Sequence, residues 1–203
     1  MFPSQANRRR ALFITAALAA VIAATPVFTN IAVAAAAKKP EAQDQSATSL
    51  NILMEFLSNT APDKVEAAAD RLVAPDATYV SLNFSNPELK KIMPWTGTDK
   101  GPRAYSGTFL GVANYWKIED FTVTDKFASG EDVAVFGKFT YRSVALGHVI
   151  TSPFSIHAKV HDGKIVYFQF MEDTYATASS FRQTGSWVVK ATVASAPIKV
   201  GAE

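Results

Sequence analysis

Apolar side chains change their spacing once along this chain, near Lys117, and the change separates a helical part from a sheet part. Downstream they recur at every second residue, the period of a strand with one face buried. Phe121 and Val123 begin the first such run, which Ala128-Ser129-Gly130 turns. Val133 to Val144 is the next; Leu146-Gly147 turns it, and His148 to Val160 follows. His161-Asp162-Gly163 carries the strongest hairpin signal, since Asp-Gly supplies the positive φ angles a tight turn needs. Ile165 to Met171 is then the last strand of the run.

Upstream the spacing is helical. Leu50, Leu53, Met54 and Leu57 predict a first helix, capped by Ser46 or Thr48. A second, short helix has Pro62 in its first turn, shows Val65, Ala68, Ala69 and Leu72 on one face, and stops at Pro75-Asp76. Ala77 to Leu82 reads as a strand and residues 83–100 as a long connection carrying Pro94-Trp95. Gly101-Pro102 opens a third helix, with Tyr105, Phe109, Val112 and Trp116 on one side. This order predicts an α+β domain, helices packed on the concave face of a curved antiparallel sheet, leaving a cone open at one end.

Residues 1–37 are set apart as a signal peptide. Arg8, Arg9 and Arg10 precede an uncharged run from Ala11 to Ala24, and Ala32-Val33-Ala34 and Ala35-Ala36-Ala37 both fit a small-residue cleavage site. A periplasmic or secreted location follows, with an uncleaved anchor as the alternative. The apolar run is shorter than the roughly 20 residues of a membrane-spanning helix, and Pro26 interrupts its continuation, so no membrane partner is expected after signal removal. The arginines loosely resemble a twin-arginine signal, although Ala11 stands where an aromatic is usual, and general secretion stays open. The expected division continues with a polar linker at 38–47, a domain at 48–182 and an extension at 183–203, where Trp187-Val188-Val189 adds an edge strand or covers a neighbouring subunit.

Removing the leader changes the charge balance. The chain has 20 basic and 18 acidic residues, and the leader takes three arginines and no acid, leaving 17 against 18. A near-neutral chain without a basic patch argues against a nucleic-acid partner. Cysteine is absent, so the core has to hold the fold without disulfides.

The segments PWTGTDKG (94–101), VAVFGKFTYR (133–142) and DGKIVYFQFMEDTYATASSF (162–181), in this element order, resemble the SnoaL-like branch of the nuclear transport factor 2-like superfamily over residues 48–182. The resemblance implies the cone-shaped fold and a homodimer through the outer sheet face. It also implies a pocket carboxylate that shuttles a proton next to a carbonyl with no metal or organic cofactor. Function follows less directly, because the superfamily holds isomerases, polyketide cyclases, epoxide hydrolases, dehydratases and non-catalytic binders. The family pattern places its acid at Asp173, and it often has an acid or polar residue where this chain has Phe170.

Glu172 and Asp173 are the candidate catalytic pair. Alternation through Val166, Phe168 and Phe170 sends Glu172 inward and leaves Asp173 to point away or cap the next turn, whereas the family pattern favours Asp173. A carboxyl facing aromatic walls has its pKa raised by desolvation, which suits proton transfer near neutral pH. The candidate ligand-binding residues are Tyr79, Trp95, Phe109, Trp116, Tyr141, Phe168 and Phe170. Among them Trp95 sits in a loop, placed to stack on a ligand, and Tyr79 and Tyr141 offer hydroxyls to an oxyanion. His157 and His161, four apart on a strand, are about 13 Å apart, too far to share one metal ion. No metal site is expected, and no nucleophile elbow or phosphate-binding loop is present. The expectation is an exported domain binding a small, largely apolar molecule. Its alternative is a cofactor-independent isomerase, cyclase or hydrolase, and the third reading is a scaffold with a filled cavity. A carboxylate aimed into a cavity beside a tyrosine would favour catalysis.

Overall fold

The computed structural model describes residues 39–201, with side chains from Gln43 onward, so the leader expected at 1–37 lies outside the described residues. The chain runs α1 (Lys39–Leu57), α2 (Val65–Leu72), β1 (Val73–Ser81), α3 (Pro87–Ile92), β2 (Gly97–Lys100), α4 (Pro102–Tyr115), β3 (Trp116–Ser129), β4 (Asp132–Ser143), β5 (Val149–His161), β6 (Lys164–Glu172), α5 (Thr174–Ser179), β7 (Trp187–Val189) and β8 (Ile198–Val200). Six strands form one curved sheet in the order β2-β1-β6-β5-β4-β3, and the helices cover its concave face as an α+β cone.

Several local features differ from expectation, each for a physical reason. The sheet is mixed: β1 runs parallel to β6, since the helices between them carry the chain back before β6 pairs it. The polar stretch 39–47, expected to be linker, is helical, because Glu, Ala and Gln favour helix without any apolar period. β1 begins at Val73 rather than Ala77 and contains Pro75, where its register with β6 shifts between Val73 and Thr78. The connection at 83–100 contains α3, opened by Asn86 as N-cap with Pro87 behind it, and an edge strand, β2. Finally, Trp187–Val189 pairs with Ile198–Val200 in a ladder of its own instead of joining the main sheet.

The core lies between the helices and the inner face of the sheet. Leu53 and Phe56 of α1, the Val65, Ala68, Ala69 and Leu72 face of α2, and Tyr105 of α4 bury against Val135, Phe139, Ile156 and Phe168. Phe56, Tyr79 and Phe168 surround Tyr105, with ring centroids 4.9–5.8 Å from it, and the Tyr105 hydroxyl donates to the Thr78 carbonyl at 3.0 Å. The sheet bends at irregularities in β3 between Ile118 and Asp120 and between Val123 and Asp125. Bends of this kind bring the Phe154 ring across the backbone of β4 at Gly137. A Cβ there would stand 2.1 Å from the Thr122 carbonyl oxygen and 2.5 Å from the Phe154 ring.

Gly137→Ala should therefore destabilise the domain by about 2–3 kcal/mol through overpacking against backbone that cannot yield. Urea unfolding would read this, and a midpoint within error of the wild type would show that the bend is not held by this contact.

Candidate functional site

β6 is hydrogen-bonded on both sides, and register with β5 sets Ile156 opposite Phe170 and Phe154 opposite Glu172. Phe154 and Phe170 stack at 5.6 Å, Phe121 stacks on Phe154 at 4.6 Å, and Glu172 continues this inward row. The row borders a cavity of about 360 Å³ enclosed by the loop after α1, by α4 and by the ends of β3, β4 and β6. Glu172 lines it, as do Tyr79, Trp95, Phe109, Trp116, Tyr141 and Phe170.

The Glu172 carboxyl is pushed up to about 7. Burial is the main cause; the Thr177 hydroxyl pulls part of the shift back, and the neighbouring Asp173 charge adds to it. Tyr79 and Tyr141 are both held well above the ordinary tyrosine range by burial first and by the Glu172 charge second, so both stay protonated. Their hydroxyls differ in availability. That of Tyr79 is engaged by Thr108, whose own hydroxyl donates to the Ala104 carbonyl at 2.9 Å. The Tyr141 hydroxyl has no hydrogen-bond partner among the described residues, and the residue lines the cavity.

Two of the expected site residues lie elsewhere. Asp173 does not reach the cavity: its carboxylate accepts from the Ala176 N–H at 3.0 Å as the N-cap of α5, and its own N–H donates to the Ser152 hydroxyl at 2.9 Å. Phe168 is completely buried in the aromatic core with Tyr79 and Tyr105, and it supports the cavity wall from behind. His157 lies outside on the sheet, its Nε2 2.8 Å from an Asp132 oxygen, and His161 pairs with Glu131. No group of side chains suited to a metal ion occurs among the described residues.

Other lining residues escaped sequence reasoning. Thr108 lies on α4 beside the expected apolar stripe and carries no motif; only the packing of α4 on β1 brings it to Tyr79. Leu82 lines the cavity with φ at 64°, a left-handed conformation that a branched side chain adopts at a cost of about 1–3 kcal/mol. Its N–H donates to the Phe170 carbonyl at 2.9 Å, extending the β1–β6 ladder past the end of β1.

No family model matches the chain. Among solved structures, a nuclear transport factor 2-like protein from Burkholderia xenovorans aligns over 68% of this chain and 98% of its own, with a TM-score of 0.58 at 18% identity. A SnoaL-like polyketide cyclase, so described, from Jannaschia aligns over 69% and 95%, with a TM-score of 0.54 at 10% identity. The domain thus has the nuclear transport factor 2-like fold. Patulin synthesis protein F of Aspergillus clavatus is 45% identical over 131 residues, covering 63% of this chain and 66% of its own, just short of two thirds of that relative's length. Patulin biosynthesis cluster protein F of Penicillium expansum is 38% identical over 146 residues, 70% of this chain and 73% of its own, and the chain belongs to the family of these proteins.

Raising the native pKa of Glu172 above its unfolded value means that the folded state holds the proton more tightly. The stability this contributes is complete below about pH 4.5 and is lost as pH rises through about 7. Glu172→Gln, uncharged throughout, should therefore gain on the wild type between pH 5 and pH 8, by up to about 3 kcal/mol at pH 8. Urea midpoints at the two pH values measure this; an equal difference at both would mean that the carboxyl is not desolvated.

Proposed function

We propose that this chain is an enzyme that moves a proton on a small, largely apolar carbonyl compound held in the cone, as an isomerase or cyclase does. The observation that carries this reading is a carboxyl titrating near 7 inside an aromatic cavity, beside a tyrosine hydroxyl that has no other partner. In the proposed step the Glu172 carboxylate takes a proton from the carbon next to the carbonyl. The released electron pair moves onto the carbonyl oxygen, which accepts a hydrogen bond from Tyr141. Glu172 then returns the proton to another position, or the enolate carbon attacks a second carbonyl within the same molecule, whose π pair moves onto its oxygen and takes the proton back from Glu172. A pKa near the working pH lets one carboxyl act as base and then as acid, and a phenol that stays protonated donates to the developing oxyanion at no reorganisation cost. The relatives' names, which concern patulin synthesis, support a biosynthetic step. Binding without turnover is the second reading, favoured by the otherwise apolar lining.

The test is hydrogen–deuterium exchange beside the carbonyl of small cyclic ketones in D2O, followed by NMR. The wild-type rate should rise from pH 5 to a plateau above pH 8 with a midpoint near 7. Glu172→Gln should lower it by about 100-fold or more, and Tyr141→Phe by about 10- to 100-fold. Failure of the wild type to accelerate exchange on any ketone would leave the binding reading in place.

Export as a periplasmic or secreted protein and pairing with a second copy belong to the same proposal. Pairing is supported by Phe127, Phe136 and Met171 exposed on the outer sheet face. Native mass spectrometry of the protein from its own cells is expected to show a dimer of chains lacking residues 1–37, with a small molecule retained. A full-length or monomeric species would remove the corresponding part.

A further inference from the structure

A second cavity, of about 280 Å³, lies against the first, and Tyr79, Trp95 and Thr108 line both. The two differ in charge. The first has Glu172 as its one carboxyl and no lysine or arginine. The second is lined by Lys90 and Arg103 and also by Asp99. Neither cation forms an ion pair or a hydrogen bond among the described residues. Asp99 is itself engaged, accepting from the Lys100 N–H at 2.8 Å.

The wall of this chamber is shaped by two glycines one turn apart on α4. A Cβ on Gly107 would meet nothing within 4 Å, so the helix surface is open there. A Cβ on Gly111 would stand 2.8 Å from the Trp95 indole, so only glycine lets that ring lie against the helix and bound both chambers. Exposed cations with no carboxylate partner, beside a cavity that holds no cation, complement a ligand that is apolar at one end and anionic at the other.

We propose that the ligand is a small cyclic or aromatic carboxylate, its ring in the cone against Glu172 and its carboxylate held by Arg103 and Lys90 in the adjoining chamber. This rests on the cone being the ligand site, as argued above, and adds the substrate class. Arg103 is the stronger contributor, because its guanidinium can meet a carboxylate through two parallel hydrogen bonds.

The test compares cinnamate with cinnamamide, of equal shape and different charge, by calorimetric titration of the purified protein at pH 6, where Glu172 is largely protonated and does not repel the anion. The wild type should bind cinnamate about tenfold more tightly than cinnamamide. The double variant Lys90→Gln with Arg103→Gln should lose that preference while its affinity for cinnamamide stays the same. Lys91→Gln, next to Lys90 but paired with Glu88, should keep the preference. All three side chains are exposed, so folding is spared, which circular dichroism checks. No preference in the wild type, a preference that survives the double variant, or equal loss in Lys91→Gln would each overturn the proposal while leaving the cone as the ligand site. Failure of the wild type to bind either probe would overturn the cone reading, and this proposal with it.

Discussion

β6 is hydrogen-bonded along both edges, to β1 on one side and β5 on the other, and that double constraint sets what faces the cavity. A strand paired on one side can slip in register, and a slip of one residue turns every side chain to the other face. Slipping β6 would break two ladders together. Its inward row is thereby held as Phe168, Phe170 and Glu172, and the carboxyl arrives among the rings of Phe154 and Phe170 with its charge only partly solvated. The raised pKa, the protonated tyrosines and the cavity lining all follow from that placement.

The surrounding structure carries the consequences of putting a carboxyl there. Trp116 donates from its indole nitrogen to the Ser180 hydroxyl at 3.0 Å, and Phe181 packs on the same indole at 4.6 Å, so the segment that follows β6 is fastened to the start of β3. α5, capped by Asp173, lies between these points and brings Thr177 to Glu172. The two adjacent acids thus divide the work: one closes a helix end and the other keeps its proton at a higher pH. Neither role is visible from the dipeptide.

Much of the fold was legible because it rests on short-range rules. Asp162-Gly163 turns the β5–β6 hairpin with φ of 46° and 73°, as that dipeptide announces. The alternating runs became strands to within a residue or two, apart from β3, which starts at Trp116 directly out of α4. Val166 is the informative failure. Simple alternation points it inward, but β6 shifts register against β5 between Ile165 and Tyr167, so Ile165 and Phe168 are the fully buried pair and Val166 is only partly covered. Bulges are set by the partner strand and leave little trace in the strand that carries them.

The chain's own pattern of residues determined the α+β class, the hairpins, the helical faces and an inward Glu172, because each depends on spacing within one element or on one turn. It also supplied seven of the cavity's aromatic and acidic residues. Only the tertiary structure decided that β1 runs parallel to β6, that Phe168 belongs to the core while Phe170 lines the cavity, and that Thr108 engages Tyr79 and leaves Tyr141 free. It also decided that Lys90, Arg103 and two glycines of α4 meet beside the cone. Those facts join residues far apart in the chain, and a side chain's solvation and hydrogen-bond partners are properties of what packs around it.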